Sequence, residues 1–146
     1  MKPFLFLMRH KRAMTIGVRA VVFDEAGRVL LLKHTYVAGW HFPGGGVEPR
    51  ETMMQAVTRE LDEEAGVAPT AEPGLFGVYL DRISRRDHVA VFVCRQWRQV
   101  RQPKVPNLEI VDVRFFAVSE LPDDTTDPTR RRLAEILEGA PQSADW

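Results

Sequence analysis

Glu60, Glu63 and Glu64 stand in the run "RELDEEAGV" at spacings of three and four residues, with Arg59 beside the first of them and Glu51 nine residues ahead. At about 100° per residue, a helix through this run sets Glu60, Glu63 and Glu64 on one face and turns Val57, Leu61 and Ala65 toward the other. Like charges one turn apart cost roughly a few tenths of a kcal/mol per pair, so an arrangement that served stability alone would have little use for them. A hard divalent cation resolves the conflict. Mg2+ takes carboxylate oxygens and keeps positions open for water and phosphate. The plain alternative is a solvated acidic face, the commoner fate of paired glutamates in a helix.

What surrounds the run weighs against that alternative. Gly44, Gly45 and Gly46, just upstream in "GWHFPGGGVEP", let backbone amides or carbonyls approach a metal or a phosphate closely. Arg59 is placed to pair with Glu63 one turn on. Glu51 falls on nearly the opposite side of a regular helix from Glu60. It therefore reads as structural, capping the helix or pairing with Arg59, which lies about 80° around from it.

The elements that must hold these groups are legible on either side. "MTIGVRAVVFD" and "RVLLLKH" are β-branched and aliphatic runs joined by "DEAGR", whose Asp24 and Gly27 suit a tight turn, so an antiparallel hairpin is expected. Glu48-Pro49-Arg50-Glu51 reads as the start of the helix, with Pro49 at its first position. The helix should run to about Ala65 and stop at Gly66, which can take the left-handed conformation. Strands follow in "GLFGVYLDR", "HVAVFVCRQW" and "VDVRFFAV", then a second helix in "DPTRRRLAEILEG", opened by Asp127-Pro128 and closed by Gly139. The expected class is α/β (α+β), a mixed sheet with helices packed on it, with residues 14–140 as one domain, 1–13 as an N-terminal arm and 141–146 as a C-terminal tail.

Composition agrees with one domain and excludes several functions. A chain of 146 residues with 45% hydrophobic and 27% charged content can bury a real core. Its 20 basic and 20 acidic side chains cancel, so bulk charge gives no reason to expect nucleic acid or an anionic membrane as partner. The single cysteine, Cys94, cannot form an intramolecular disulfide and reads as a buried thiol in "HVAVFVC". The apolar stretch in "MKPFLFLMRHKRA" is too short for a membrane span or a secretory core, and the expected location is cytoplasmic. A short strand, a dimer contact or a membrane-brushing arm would each account for it.

Residues 45–67 resemble the Nudix box, the signature of the Nudix (MutT-like) hydrolases: Gly45, Glu51, Arg59, Glu60, Leu61, Glu63, Glu64, Gly66 and Val67 occupy every specified position. The flanking "VRAVVFDEAGRVLLLKH" and "VRFFAVSELP" are similar to that family's strands. Arg50 departs from it, standing where many members have Gly before the first box glutamate. The resemblance implies the Nudix fold, a mixed β-sheet sandwiched between α-helices. It also implies Mg2+-dependent or Mn2+-dependent hydrolysis of a nucleoside diphosphate linked to another moiety.

By the same resemblance, Glu60 and Glu64 are the first metal ligands, Glu63 completes or alternates in the cluster, and the Gly44 carbonyl adds an oxygen. Glu60 is the first candidate for general base and Glu63 the second. Glu109, in "PNLEIVDVRFF", matches the place of a further metal-binding or base glutamate, or is a solvated residue at a strand start. Arg59 orients a glutamate, while Gly45, Glu51 and Gly66 hold the frame.

Substrate contacts are expected of Arg19, Lys33 and Trp40, with His34 and His41 beside them. Each reads equally as a surface or core residue. Arg82, Arg85 and Arg86 form either a phosphate clamp or a soluble loop, and His88 reads as a polar residue at a strand start. The Pro and Tyr marks of the ADP-ribose and dinucleoside polyphosphate subgroups are absent, since position 83 is Ile while Tyr79 and Pro73 fall too early. That leaves nucleoside triphosphates, nucleotide sugars and other diphosphates. A Nudix-fold domain that binds a nucleotide without cleaving it is the alternative, against which all the box glutamates are intact. A nucleic-acid factor would want a basic stripe and aromatic platform that the sequence lacks. A homodimer follows from the resemblance alone.

Overall fold

The computed structural model describes residues 13–146, and the expected N-terminal arm falls almost wholly outside them. Strand β1 (Ile16–Val22) divides its apolar side chains between two cores. Val18, Ala20 and Val22 join one core with Val57, Leu61 and Ala65 of helix α1 (Met53–Ala65). Val21 joins the other with Leu133 of helix α2 (Asp127–Glu138). The strands therefore lie between two helices, as the α+β reading requires.

β1 runs parallel to β7 (His88–Cys94), with Ile16 opposite His88 and Val22 opposite Cys94, and antiparallel to β4 (Gly44–Gly46). β7 pairs in turn with β6 (Gly74–Leu80), giving a mixed sheet of order β4-β1-β7-β6. A second, antiparallel sheet places β2 (Val29–His34) between β3 (Trp40–His41) and β9 (Ile110–Phe116). The short strands β5 (Val67–Pro69) and β8 (Trp97–Gln99) pair separately, so "HVAVFVCRQW" is broken after Cys94 rather than continuous. Cys94 is buried and unpaired, and burial pushes its thiol pKa up.

Two local expectations are corrected. The "DEAGR" turn forms, with Asp24 accepting from the Arg28 amide at 2.8 Å and Gly27 at φ 77°, but β1 and β2 share only the Phe23–Val29 bridge. The two strands then diverge, because each has longer partners elsewhere: β7 for β1 and β9 for β2.

The helix also starts later than Pro49. Arg50 adopts φ 68°, a left-handed conformation that no helix can pass through, and it does so at the position where a glycine would be at ease. Thr52 then caps α1: its hydroxyl accepts from the Gln55 amide at 3.0 Å, and the Gln55 side chain accepts from the Thr52 amide at 2.9 Å. The far end is as expected, with Gly66 at φ 62° donating to the Asp62 carbonyl.

The last residues are docked rather than trailing. Leu80 donates to the Ala144 carbonyl at 2.8 Å, and Trp146 donates to that of Leu80 at 2.9 Å, extending the edge of β6. Arg132, fully buried, lies over the rings of Tyr79 and Trp146 at 4.1 and 5.3 Å and pairs with Glu135 at 2.8 Å. The Tyr79 hydroxyl donates to the same carboxylate at 2.7 Å, so the buried charges are paired and hydrogen-bonded.

Candidate active site

Helix α1 presents its glutamates to the edge strand β4, and the three that share a face differ in depth. Glu64 is innermost, 8% exposed, and its Oε1 accepts the Gly44 amide at 2.7 Å. Glu60 is half-buried, and Glu63 reaches solvent. Gly44 lies opposite Arg19 in the β1–β4 register, at φ 156°, and a Cβ there would strike the Val18 carbonyl. A Cβ on Gly45 would strike the Glu60 carboxylate itself. The glycines thus let the strand come close enough for backbone and carboxylates to share one site.

Arg59 ties the parts together. Its Nε and Nη2 donate to the two oxygens of Glu51 at 2.7 and 2.9 Å, Nη1 to Glu60 at 2.9 Å and to Glu63 at 3.4 Å, and Nη2 to the Gly46 carbonyl at 3.1 Å. These bonds, with one from the Glu48 amide, hold Glu51 down to about 2. The pairing with Glu63 is the weakest of the set, and the expected pairing with Glu51 is bidentate.

Burial dominates the electrostatics. It pushes Glu64 up to about 8, against the opposing Gly44 amide, with the neighbouring charge of Glu60 adding to the rise and Arg19 reducing it. Burial likewise raises Glu60, opposed by its bond to Arg59. Burial lowers the pKa of Arg19, and the charges of Glu64, Tyr36 and Glu60 oppose that shift. Glu109 is exposed on the loop before β9, yet its charge reaches Glu64 and adds to the rise.

Among the described residues, no three acidic or imidazole side chains already converge with metal-binding geometry. The reason is visible: Glu60 is turned to Arg59 and Glu64 to the Gly44 amide. The donor set nonetheless fits a hard divalent cation. It is all oxygen, and it holds two adjacent, desolvated carboxylates whose charge is poorly compensated where they stand. A cleft of about 720 Å3 is lined by Asp24, Arg28, Arg95, Trp97 and Phe115 and contains none of these groups. Chemistry rather than volume locates the site.

The substrate candidates separate. Arg19 sits beside the carboxylates, its Nη1 donating to the Phe42 carbonyl at 3.3 Å. Lys33 forms a 2.8 Å salt bridge with Asp124, a partner that the sequence did not suggest. Trp40 follows the core reading, its ring 9% exposed and packed edge-on against Phe116 at 4.8 Å. Arg85 bridges to Asp145 at 3.0 Å, and His88 opens β7. Tyr36, in the loop "HTYVAGW", was not among the expected contacts, and its ring leans on His34 at 5.0 Å.

A family model for the NUDIX domain matches residues 13–137. An RNA pyrophosphohydrolase of Coxiella burnetii is 33% identical over 95 residues, covering 64% of this chain and 35% of the relative. One of Halorhodospira halophila is 44% identical over 53 residues, covering 36% of this chain and 29% of the relative. The matched stretches thus span about a third of those relatives' length. The crystal structure of a MutT NUDIX hydrolase from Burkholderia pseudomallei superposes with a TM-score of 0.72 at 27% identity, covering 85% of this chain and 98% of that one.

Proposed function

Because the chain belongs to the NUDIX domain family, we propose that it is a divalent-cation-dependent pyrophosphohydrolase that cleaves the diphosphate linkage of a nucleoside diphosphate derivative by attack of water on phosphorus. The observation that carries this reading is the buried Glu64 carboxylate, joined to the Gly44 amide, with Glu60 one turn away on the same face of α1.

In this reading Glu60 and Glu64 hold Mg2+, or Mn2+ in its place, Glu63 completes the set from the solvent side, and Glu109 joins from its loop. The Gly44 carbonyl is a further candidate donor, on the residue whose amide already meets Glu64. A cation bound there would supply positive charge to the diphosphate oxygens and lower the pKa of water. Glu60 would take the proton of the attacking water, with Glu63 the second candidate, as the bond between phosphorus and the leaving oxygen breaks. Arg19 steadies a phosphate, and Arg59 keeps Glu60 and Glu51 in place.

The test is identification of the nucleotide, sugar phosphate or pyrophosphate products formed from nucleoside triphosphates, nucleotide sugars, dinucleoside polyphosphates, ADP-ribose and 5′-triphosphorylated RNA, with Mg2+, Mn2+ or chelator. Glu60→Gln should abolish most turnover while leaving the fold intact, and a near-normal rate with Mg2+ would sink the assignment. RNA is included because relatives carry that activity in their names, although the balanced charge of this chain favours a small nucleotide. Nucleotide binding without cleavage would support the silent-domain alternative. No helix among the described residues is long and apolar enough to cross a membrane. A cytoplasmic location and a homodimer belong to the same proposal; light scattering of the purified protein tests the latter.

A further inference from the structure

β2 ends at His34, and the chain then passes through a loop pinned to the one before β9: the Thr35 amide donates to the Glu109 carbonyl at 2.9 Å and its hydroxyl to that of Leu108 at 2.8 Å. This fixes Tyr36 beside Leu108, both strongly exposed at 69% and 96%. The Tyr36 ring leans on His34, centroid to centroid 5.0 Å at a tilt of 37°, and His34 leans on His41 at 5.9 Å and 57°. His41 is itself anchored, its Nε2 lying 3.0 Å from the Ala38 carbonyl. Three rings therefore form a braced step. His34 Nδ1 is buried without a partner among the described residues, an unfinished hydrogen bond at the foot of it.

An exposed aromatic alone means little. What distinguishes this one is its position: the ring series ends on His41, the next residue is Phe42, whose carbonyl accepts from Arg19 Nη1 at 3.3 Å, and two residues further the Gly44 amide donates to Glu64 at 2.7 Å. An apolar planar surface, a guanidinium and a carboxylate pair follow one another in the order of a base, its phosphates and a divalent cation. We propose that Tyr36, braced by His34 and His41, is the platform on which the base of the nucleotide stacks, and that it determines specificity for a nucleoside over a base-free diphosphate. The inference rests on the hydrolase reading for its substrate class. Stacking on one ring tolerates purines and pyrimidines alike, because every base has a π-face.

The test uses ligands that the proposed reaction cannot cleave. AMP and inorganic phosphate are titrated calorimetrically, with Mg2+, into the wild type, Tyr36→Ala and Tyr36→Phe. The exposure of Tyr36 means that both variants should fold. The alanine variant should lose about tenfold in affinity for AMP while keeping its affinity for phosphate, and the phenylalanine variant should keep both. Equal weakening of the two ligands, unchanged AMP affinity, or no AMP binding by the wild type overturns the platform. The hydrolase reading fails separately: AMP binding lost in Tyr36→Ala by a protein that hydrolyses nothing keeps the platform and removes the enzyme. Hydrolysis with an unchanged KM in that variant does the reverse.

Discussion

Arg59 and Glu51 meet side by side, through bonds of 2.7 and 2.9 Å, although Glu51 lies outside the helix that carries Arg59. The fork clamps the 48–51 turn to α1, and the same guanidinium reaches Glu60 and the Gly46 carbonyl. One planar group therefore sets the position of a strand, a turn and the Glu60 carboxylate.

Arg59→Lys should lower kcat/KM by about 10–100-fold, because a single ammonium cannot span Glu51, Glu60 and the Gly46 carbonyl together. Titration of Mg2+ affinity alongside kinetics checks this. Loss of thermal stability with unchanged kcat/KM would show that Arg59 only braces the turn.

Glu64 makes the metal-free protein sensitive to pH. Its folded pKa of about 8 lies above the ordinary carboxylate value, so the folded state holds the proton more tightly than the unfolded chain. The stability this contributes is complete at pH values below the unfolded pKa and is lost as pH rises toward about 8. Melting in chelator from pH 5 to 8.5 should show that decline in the wild type and a flatter profile in Glu64→Gln. Mg2+ should restore stability at high pH in the wild type alone. A wild-type profile as flat as the variant's would refute the assignment.

Gly45→Ala and Gly46→Ala form a matched pair. The first puts a methyl group into the Glu60 carboxylate, while the second meets open space. Turnover should fall sharply for Gly45→Ala with little change in the urea midpoint, and Gly46→Ala should resemble the wild type in both. Equal effects of the two would mean that Glu60 is not held against Gly45.

Trp40→Ala should cost about 3–5 kcal/mol of stability, the usual penalty for emptying a large core site, without raising KM in the fraction that stays folded. Urea unfolding and steady-state kinetics at low temperature separate the two effects. A raised KM at unchanged stability would return Trp40 to the substrate site.

The helix and its acidic face could be read from the chain because they depend on local spacing. Residues three and four apart share a face of any helix, and a glycine after the last turn stops it. The late start of α1 was hidden by Pro49, a good first helical residue, because nothing local revealed that Arg50 takes a left-handed conformation. The β1–β2 hairpin was misjudged for the opposite reason. The turn chemistry was right, but the choice of partners for the strands is made by residues some seventy positions away.

The sequence by itself determined the family, the helix with its carboxylates and the oxygen-donor chemistry, since each follows from residue type at short separation. Only the tertiary structure decided that Glu64 is buried against Gly44 while Glu63 faces solvent, that Lys33 pairs with Asp124, that Trp40 belongs to the core and that Tyr36 leans on His34. Burial and pairing depend on which distant segments pack together, and it is desolvation in that packing that makes one glutamate of three hold its proton to about pH 8.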